Sequence, residues 1–215
     1  MKNLFFILMF ISSPFMQNLF FSEYIEGSSN NKAIEIFNPT SQNIDLSDYA
    51  YPSTANAPDN PGNYEYWNDF DPGASIDPGS VYVICHGSAD EAIQSYCDEN
   101  HTYLSNGNDV FGLVNAATGE IIDIIGERAT EENSPENGTG GWPVAGVDNA
   151  TLNHTLIRQY SVLTGNSDWA SSAGTNQNDS EWIVYENETW EYLGYHSSIL
   201  STWEGPVWNV SNNGS

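Results

Sequence analysis

The chain has 215 residues, of which 39% are hydrophobic, and it contains 7 Trp, 12 Tyr and 9 Phe. This composition supports one sizeable folded domain and argues against global disorder. Its 29 acidic residues outweigh 4 basic ones, so the formal net charge is −25. Because nucleic acids and anionic membranes are bound largely through Lys and Arg, this balance argues against both as partners. Cations are its natural partners, and the simpler alternative is a solvated acidic surface without a specific ligand.

The first 17 residues have the pattern of a signal peptide. Lys2 supplies a positive start, Leu4 to Ile11 form a short apolar run, and the polar residues up to Gln17 lead to a cleavage position. The apolar run is too short to cross a bilayer as a stable helix. The sequence therefore predicts that residues 1–17 direct export and are then removed. The mature chain would have no transmembrane span and would be secreted or held at the cell surface.

The mature chain opens with a predicted β-hairpin. Residues 18–27 and 32–38 alternate apolar and polar side chains on either side of the turn cluster SSNN, which is typical of two antiparallel strands. In the second strand Ile34 and Ile36 point to one face and Glu35 points to the other. The sequence thus predicts one apolar face and one polar face for this hairpin.

The rest of the chain reads as short strands separated by turns. A strand or edge turn at 42–51 precedes a long stretch rich in Pro, Gly and aromatic residues, from Pro52 to Gly79. Residues 88–97 have helical spacing, with Ser88 or Asp90 as the N-cap. Further strands are predicted at residues 80–86, 110–114, 120–125, 154–162 and 181–187. Without a repeat or a long amphipathic helix, this pattern favours an all-β sandwich.

A series of motifs in order also resembles a known family. The motifs are SEYIEG, NNKAIEIFNP, NIDLSDY, VYVICHGSAD, LSNGNDVFGLVNAATGEIIDIIGE, GWPVAGV, NHTLIR, DWASSAGTNQNDSEWIV and LGYH. Together they resemble the lamin-tail domain family in its bacterial secreted form. The resemblance implies an immunoglobulin-like β-sandwich over residues 18–196, with long loops, one short helix and no catalytic residues. Residues 197–215 would be a C-terminal tail or a truncated linker.

The resemblance also implies a function. Domains of this kind are similar to accessory modules of secreted or surface proteins, so we expect a non-catalytic interaction or attachment module with an unidentified protein or glycan ligand. The alternative is the accessory domain of a secreted hydrolase, such as a nuclease or phosphatase, whose catalytic domain is absent from this chain. The reading frame beyond Ser215 distinguishes them, because a stop codon there favours the module.

Three glutamates of the hairpin, Glu23, Glu26 and Glu35, surround Lys32. Paired carboxylates in a cleft, with pKa values pushed apart, would serve general acid–base catalysis. Glutamates on a hairpin beside a turn are more often solvated, and an exposed Lys32 would contribute little energy as their partner. The sequence therefore predicts scaffold residues with a structural or surface role, and it assigns no catalytic residue.

The acidic loop before residue 80 holds three candidate calcium ligands, Asp69, Asp71 and Asp77. Calcium takes six to eight oxygen ligands, which these side chains and loop carbonyls would supply in part. The loop lacks the bidentate glutamate of an EF-hand, and aspartates of Asp-Pro-Gly sequences also serve as turn formers. No metal site and no cofactor is assigned.

Aromatic residues and cysteines leave two further questions open. Tyr64 to Trp67, with Trp142, Trp169 and Trp190, would form either a platform for sugar rings or part of the core and its loop covers. Cys85 and Cys97 would form a disulfide after export, since disulfides persist outside the cytoplasm. The alternative for the cysteines is two independent thiols.

Overall fold

The computed structural model describes residues 18–55, 63–127 and 140–197. Within these ranges the chain forms twelve β-strands and two short α-helices. The strands are β1 (Phe20–Glu26), β2 (Lys32–Phe37), β3 (Ile44–Asp45), β4 (Tyr49–Ala50), β5 (Ser53–Thr54), β6 (Ser75–Ile76), β7 (Val81–Cys85), β8 (Glu99–Asn100), β9 (Val110–Asn115), β10 (Ile121–Ile125), β11 (Thr155–Arg158) and β12 (Trp182–Tyr185). The helices are α1 (Glu91–Gln94) and α2 (Trp169–Ala173).

Two sheets face each other as a β-sandwich. The large sheet has six strands in the order β12-β11-β1-β2-β7-β8, and the small sheet has the order β10-β9-β4, with β5 also paired to β9. Strands β3 and β6 form a separate ribbon. Neighbouring strands are antiparallel except β7 and β8, which are parallel. The predicted all-β, immunoglobulin-like sandwich is confirmed.

The main core lies between the two sheets and follows the predicted alternation. Ile34 and Ile36 of β2 point into it, together with Tyr24 of β1. Phe111 and Leu113 of β9 meet them from the small sheet, and both are fully buried. Burying such side chains contributes about 1.5–3 kcal/mol each relative to exposure, so this layer is the main source of stability.

The outer face of the large sheet is also covered, which the sequence did not indicate. Ile25, Val83 and Cys85 lie on that face in a second apolar cluster. Ile93 of α1 and Leu193 of the chain after β12 pack onto them, and both are at least 97% buried. We call residues 186–197 the C-terminal strap, because this segment lies over the sheet. The large sheet is therefore buried on both faces.

The helices differ in part from expectation. The helical spacing at 88–97 produces only the single turn α1, which follows Asp90 at its N-cap position. Helix α2 was not predicted as a helix. The side chain of Asp168 caps it by accepting a hydrogen bond from the Ser171 N–H (3.3 Å), and its first residue, Trp169, is buried. The signal available in the sequence was an aspartate, a residue type common at the N-cap, directly followed by an apolar residue.

Two predictions about the ends of the chain concern residues outside the described ranges. The proposed signal peptide at 1–17 lies outside them, as does the tail of 197–215 apart from residue 197. Among the residues that the structure describes, no helix is long and apolar enough to cross a membrane.

Candidate functional site

Glu23 and Glu35 face each other on the outer side of the large sheet. They are cross-strand partners in β1 and β2, flanked in the same row by Ile157 of β11 and Val83 of β7. Both side chains are buried, with exposed fractions of 1% for Glu23 and 0% for Glu35. The prediction that these glutamates are solvated surface residues is wrong. The alternation placed them on the correct face, but the C-terminal strap covers that face.

Each oxygen of Glu35 accepts a hydrogen bond. Ser22, at an irregularity in the β1–β2 pairing, donates from its hydroxyl to Oε1 (2.6 Å). The Gly194 N–H of the strap donates to Oε2 (2.6 Å). Gly194 has φ of 88°, and a side chain there would meet the Tyr96 ring. A glycine is therefore what allows the strap to approach the carboxylate.

Glu23 is less well satisfied. Its Oε1 is buried without a hydrogen-bond partner among the described residues. Burial and the neighbouring carboxylates of Glu35 and Glu191 raise the pKa of Glu23 well above its usual value. Burial likewise raises the pKa of Glu35 to about 7, against the opposing effect of its hydrogen bonds from Ser22, Gly194 and Tyr195, and with Asp98 adding repulsion. Two like charges side by side in an apolar row favour retention of a proton.

An aromatic cluster lies beside this pair. His196 of the strap packs edge-on against Phe20 and Phe37, with ring centroids 5.7 Å and 4.9 Å away, and lies 5.4 Å from Tyr160. Burial lowers the pKa of His196 to about 4, with a further contribution from nearby Arg158. At neutral pH the ring is uncharged. It therefore contributes aromatic packing at the end of the strap and supplies no positive charge to the glutamates.

Glu26, the third glutamate, has a different environment. Its carboxylate accepts hydrogen bonds from the Lys32 ammonium and from the Asn153 N–H. Its side chain is 5% exposed and that of Lys32 is 12% exposed. The expected partner was therefore identified correctly, but the pair lies largely out of water instead of on the surface.

A second buried acidic site was missed by sequence reasoning. Arg158 of β11 and Asp123 of β10 form an ion pair between the two sheets, with Nη2 and Oδ1 2.6 Å apart and both side chains fully buried. The Phe21 N–H and the Asn166 N–H donate to the same carboxylate at 2.8 Å and 2.9 Å. Burial raises the pKa of Asp123, and Arg158 with these donors opposes the rise. The available signal was that Arg158 shares a strand face with core residue Leu156.

A cleft of about 520 Å³ opens elsewhere, beside β5 and the loop of residues 101–109. Tyr66 and Tyr103 line it with 57% and 80% of their surfaces exposed. Ligand pockets have volumes of about 300–1,000 Å³, so this cleft has the size of a binding site. Tyr66 belongs to the aromatic stretch noted in the sequence, whereas Tyr103 was overlooked in the polar segment HTYLSNGND.

The base of the cleft is fixed by buried hydrogen bonds. His101 packs edge-on against Tyr51, at 5.5 Å between ring centroids, and lies 6.3 Å from Tyr103. The Tyr51 hydroxyl donates to buried Glu99, which also accepts from the Tyr82 hydroxyl at 3.0 Å. Burial lowers the pKa of His101, so the ring is neutral at neutral pH. The wall that presents Tyr103 is therefore supported from below, and its His101 ring carries no charge.

The tryptophans of the predicted sugar platform do not join this cleft. Trp142 and Trp169 are buried, with exposed fractions of 4% and 5%. Trp190 is half-buried against the second apolar cluster. Trp67 is 49% exposed, and its indole N–H donates to Asp69 Oδ1 at 2.8 Å. Of the two alternatives left open by the sequence, a place in the core holds for Trp142 and Trp169, whereas Trp67 and several tyrosines are exposed.

The structure does not bring the three calcium candidates together. Asp69 accepts from Trp67, Asp77 accepts from the Asn43 amide at 2.8 Å, and the Asp71 N–H donates to Glu99 at 3.0 Å. All three are exposed. Across residues 18–55, 63–127 and 140–197, no group of three or more His, Cys, Asp or Glu side chains is arranged to hold a metal ion. Calcium binding stays a hypothesis for titration.

Cys85 and Cys97 lie next to each other on the outer face. The structure joins them as a disulfide, with their Cα atoms 5.8 Å apart, a separation usual for bridged cysteines. The link ties the chain after α1 to β7. The backbone thus permits the predicted bridge, and its formation in the exported protein stays a prediction.

Comparison with protein families now identifies this sandwich. The family model described as Lamin Tail Domain matches residues 13–128, more than half of the chain. The chain belongs to the lamin tail domain family. No curated protein and no solved structure matches it.

Lamin tail domains are non-catalytic immunoglobulin-like domains, which fits an interaction module. The matched range ends soon after β10, so β11 and β12 of the large sheet follow it in the chain. These later strands supply Arg158, and the strap that covers the glutamates follows them. The lamin tail domain match therefore supports the fold. It does not by itself assign a role to the cleft or to the buried glutamates.

Proposed function

We propose that this lamin tail domain is an exported, non-catalytic interaction module that binds its ligand in the cleft beside Tyr66 and Tyr103. The observation that carries the proposal is the exposure of these two rings, at 57% and 80%, on a cleft of about 520 Å³. Large exposed aromatic side chains are costly to leave in water and mark interaction sites. Tyrosine supplies broad contact area with little loss of conformational entropy.

Export is supported by the sequence of residues 1–17, with its basic start and short apolar run. In the natural host, the protein should occur outside the cytoplasm with an N-terminus near residue 18. Mass spectrometry of the intact extracellular protein measures this directly. Recovery only from the cytoplasm, with residues 1–17 retained, would contradict export.

Binding is tested with fluorescently labelled mature chain and whole cells of the natural host as the probe. We expect saturable binding that falls at least about tenfold in the double variant Tyr66→Ala/Tyr103→Ala. Tyr96→Ala is the matched control, because Tyr96 is 45% exposed and does not line the cleft. Equal binding by the double variant and the wild-type chain would reject the cleft as the ligand site.

The absence of catalysis is tested separately. The purified chain should turn over neither DNA nor a model ester, since no nucleophile with its base is assigned among the described residues. Turnover that a single point substitution abolishes would contradict a purely binding role.

A further inference from the structure

The cleft of about 520 Å³ differs in charge from the rest of the molecule. The chain carries 29 acidic residues among 215, yet of the twelve described residues that line the cleft only Asp109 has a carboxylate. His101 is the other titratable group besides the tyrosines, and its lowered pKa leaves it neutral. A site for a cation would be expected to concentrate carboxylates, as in charge-complementary interfaces. The described lining of this cleft does not concentrate carboxylates in this way.

The lining supplies the groups that a neutral, hydroxyl-rich ligand requires. The described lining includes amide and hydroxyl side chains beside apolar ones, and the amide and hydroxyl residues are Ser53, Thr54, Asn68, Thr102 and Asn106. Amides and hydroxyls both donate and accept hydrogen bonds, so they match alcohol groups without a charge. An anionic ligand would meet the repulsion of a chain with net charge −25.

The exposed tyrosines supply the complementary apolar contact. A sugar ring presents a face of C–H groups and an edge of hydroxyls, and a tyrosine likewise combines an apolar ring with a polar tip. Tyr103 rests against His101 and Tyr66 lies on the β5 side of the same cleft. The Asn68 amide is held in place by bonds to the Tyr51 carbonyl (3.0 Å) and Ser53 Oγ (3.2 Å). A preorganised polar group costs less to use in binding.

We infer that the cleft binds a neutral carbohydrate chain, with Tyr66 and Tyr103 as stacking residues and the surrounding amides and hydroxyls as hydrogen-bonding groups. This inference rests on the proposed function and names the ligand class of the same site. A chain, in preference to a single sugar, follows from a volume that exceeds one ring and from two lining tyrosines that belong to different segments of the chain.

The experiment is isothermal titration of the mature chain with neutral hexasaccharides of glucose, xylose, mannose and N-acetylglucosamine. Hexalysine and hexagalacturonate serve as the cationic and anionic probes. We expect binding to at least one neutral hexasaccharide, with Kd changing less than about twofold between 0.05 and 0.5 M NaCl, because no charge pairing is involved. Tyr103→Ala and Tyr66→Ala should each weaken it about tenfold. Tyr103→Phe should stay within about threefold, since the ring is retained.

Tyr96→Ala is again the control and should leave the Kd unchanged, and melting temperatures verify that each variant folds. Binding of hexalysine with no neutral hexasaccharide bound would overturn the carbohydrate assignment. The assignment would also be overturned if none of the probes bound, or if Tyr103→Ala left the binding of a neutral hexasaccharide unchanged. If cell binding nevertheless depends on Tyr66 and Tyr103, the proposed function stands and only the ligand class is wrong.

Discussion

The two faces of the large sheet each border a buried carboxylate site, and the two sites are neutralised differently. Between the sheets, Asp123 is paired with Arg158 at 2.6 Å and accepts two backbone N–H groups. On the outer face, Glu23 lies beside Glu35, and Glu35 is held by a hydroxyl and backbone N–H donors. The first carboxylate is offset by a cation. The second pair is offset by a retained proton.

The difference shows what each site depends on. In the inner site the guanidinium never loses its proton, and it favours the charged carboxylate of Asp123 against the effect of burial, which raises the Asp123 pKa. A pair of carboxylates that shares a proton depends on pH instead, and its titration belongs to the pair as a whole. The inner pair therefore joins the two sheets through opposite charges, whereas at the outer pair we expect the contact between Glu35 and the strap to depend on pH.

The largest expected effect comes from breaking the inner pair. Arg158→Met should lower the free energy of unfolding by about 3–5 kcal/mol, because it leaves the Asp123 carboxylate buried without its cation. Urea unfolding monitored by tryptophan fluorescence measures this. Adding Asp123→Asn should recover part of the loss, since the amide keeps an acceptor but removes the charge. A loss below about 1 kcal/mol in the single variant would show that the pair is not what holds the sheets.

The outer face has a covalent tie in place of a cation. We expect intact mass of the exported protein to be about 2 Da below the dithiol form, from the two hydrogens lost on oxidation. Cys85 and Cys97 are 12 residues apart, and closing such a loop contributes about 3 kcal/mol to stability. Urea unfolding with and without a reducing agent measures the contribution. Two free thiols per exported chain would refute the bridge.

The glutamate pair should make stability depend on pH. The folded chain keeps a proton on Glu35 up to a pKa of about 7, while the unfolded chain releases it near its ordinary value of 4.5. The free energy of unfolding should therefore fall as pH rises from 4.5 to about 7, by about 1.4 kcal/mol per pH unit for one group. Above that range the contribution of Glu35 is constant. Urea midpoints from pH 4 to 8 measure the slope.

The pair is isolated from the general surface charge by Glu23→Gln. At pH 8 this variant should be more stable than the wild type by about 1–3 kcal/mol, because a buried, unpartnered carboxylate is removed. At pH 4.5 the two should be nearly equal. Glu120→Gln is the matched control, since it removes the same charge from an exposed position and should change stability by less than about 0.5 kcal/mol. Equal pH slopes in all three chains would exclude the pair as their origin.

The smallest effect is expected at the surface. Monovalent salt screens repulsion between exposed carboxylates over about 10 Å at 0.1 M, so melting temperature should rise modestly when salt is added. The buried glutamate pair is screened much less, and the pH slope should persist in salt. Calcium and magnesium should give equal shifts at equal ionic strength, because Asp69, Asp71 and Asp77 belong to no group of three or more possible metal ligands among the described residues. A calcium excess that Asp69→Asn/Asp71→Asn removes would restore the calcium site.

Local pattern was sufficient for the longer strands and their faces, whereas the two-residue strands β5, β6 and β8 were not predicted. The alternation of Ile34, Glu35 and Ile36 predicted which side chains enter the core, and the structure agrees. Alternation describes one strand at a time, so it assigns a residue to a face without stating what covers that face. The expectation of solvated hairpin glutamates holds only for an open outer face, and the strap some 160 residues later in the chain covers that face.

The same limit explains the candidate site. Tyr66 and Tyr103 are far apart in sequence, and only the packing of β5 and β9 beside residues 101–109 brings them to one cleft. For Trp142 and Trp169 the sequence left a surface platform and the core as alternatives, and only the folded structure shows that both are buried. Composition does not distinguish an aromatic residue that packs in the core from one that is exposed at a binding site.

The amino-acid sequence by itself determined the sandwich, the hairpin, the acidic surface and the membership of the lamin tail domain family, because these depend on local periodicity and on motifs in order. The tertiary structure decided which carboxylates lose water. Desolvation depends on every atom around a group. The glutamates that look most exposed in the sequence therefore became the most deeply buried acids of the outer face.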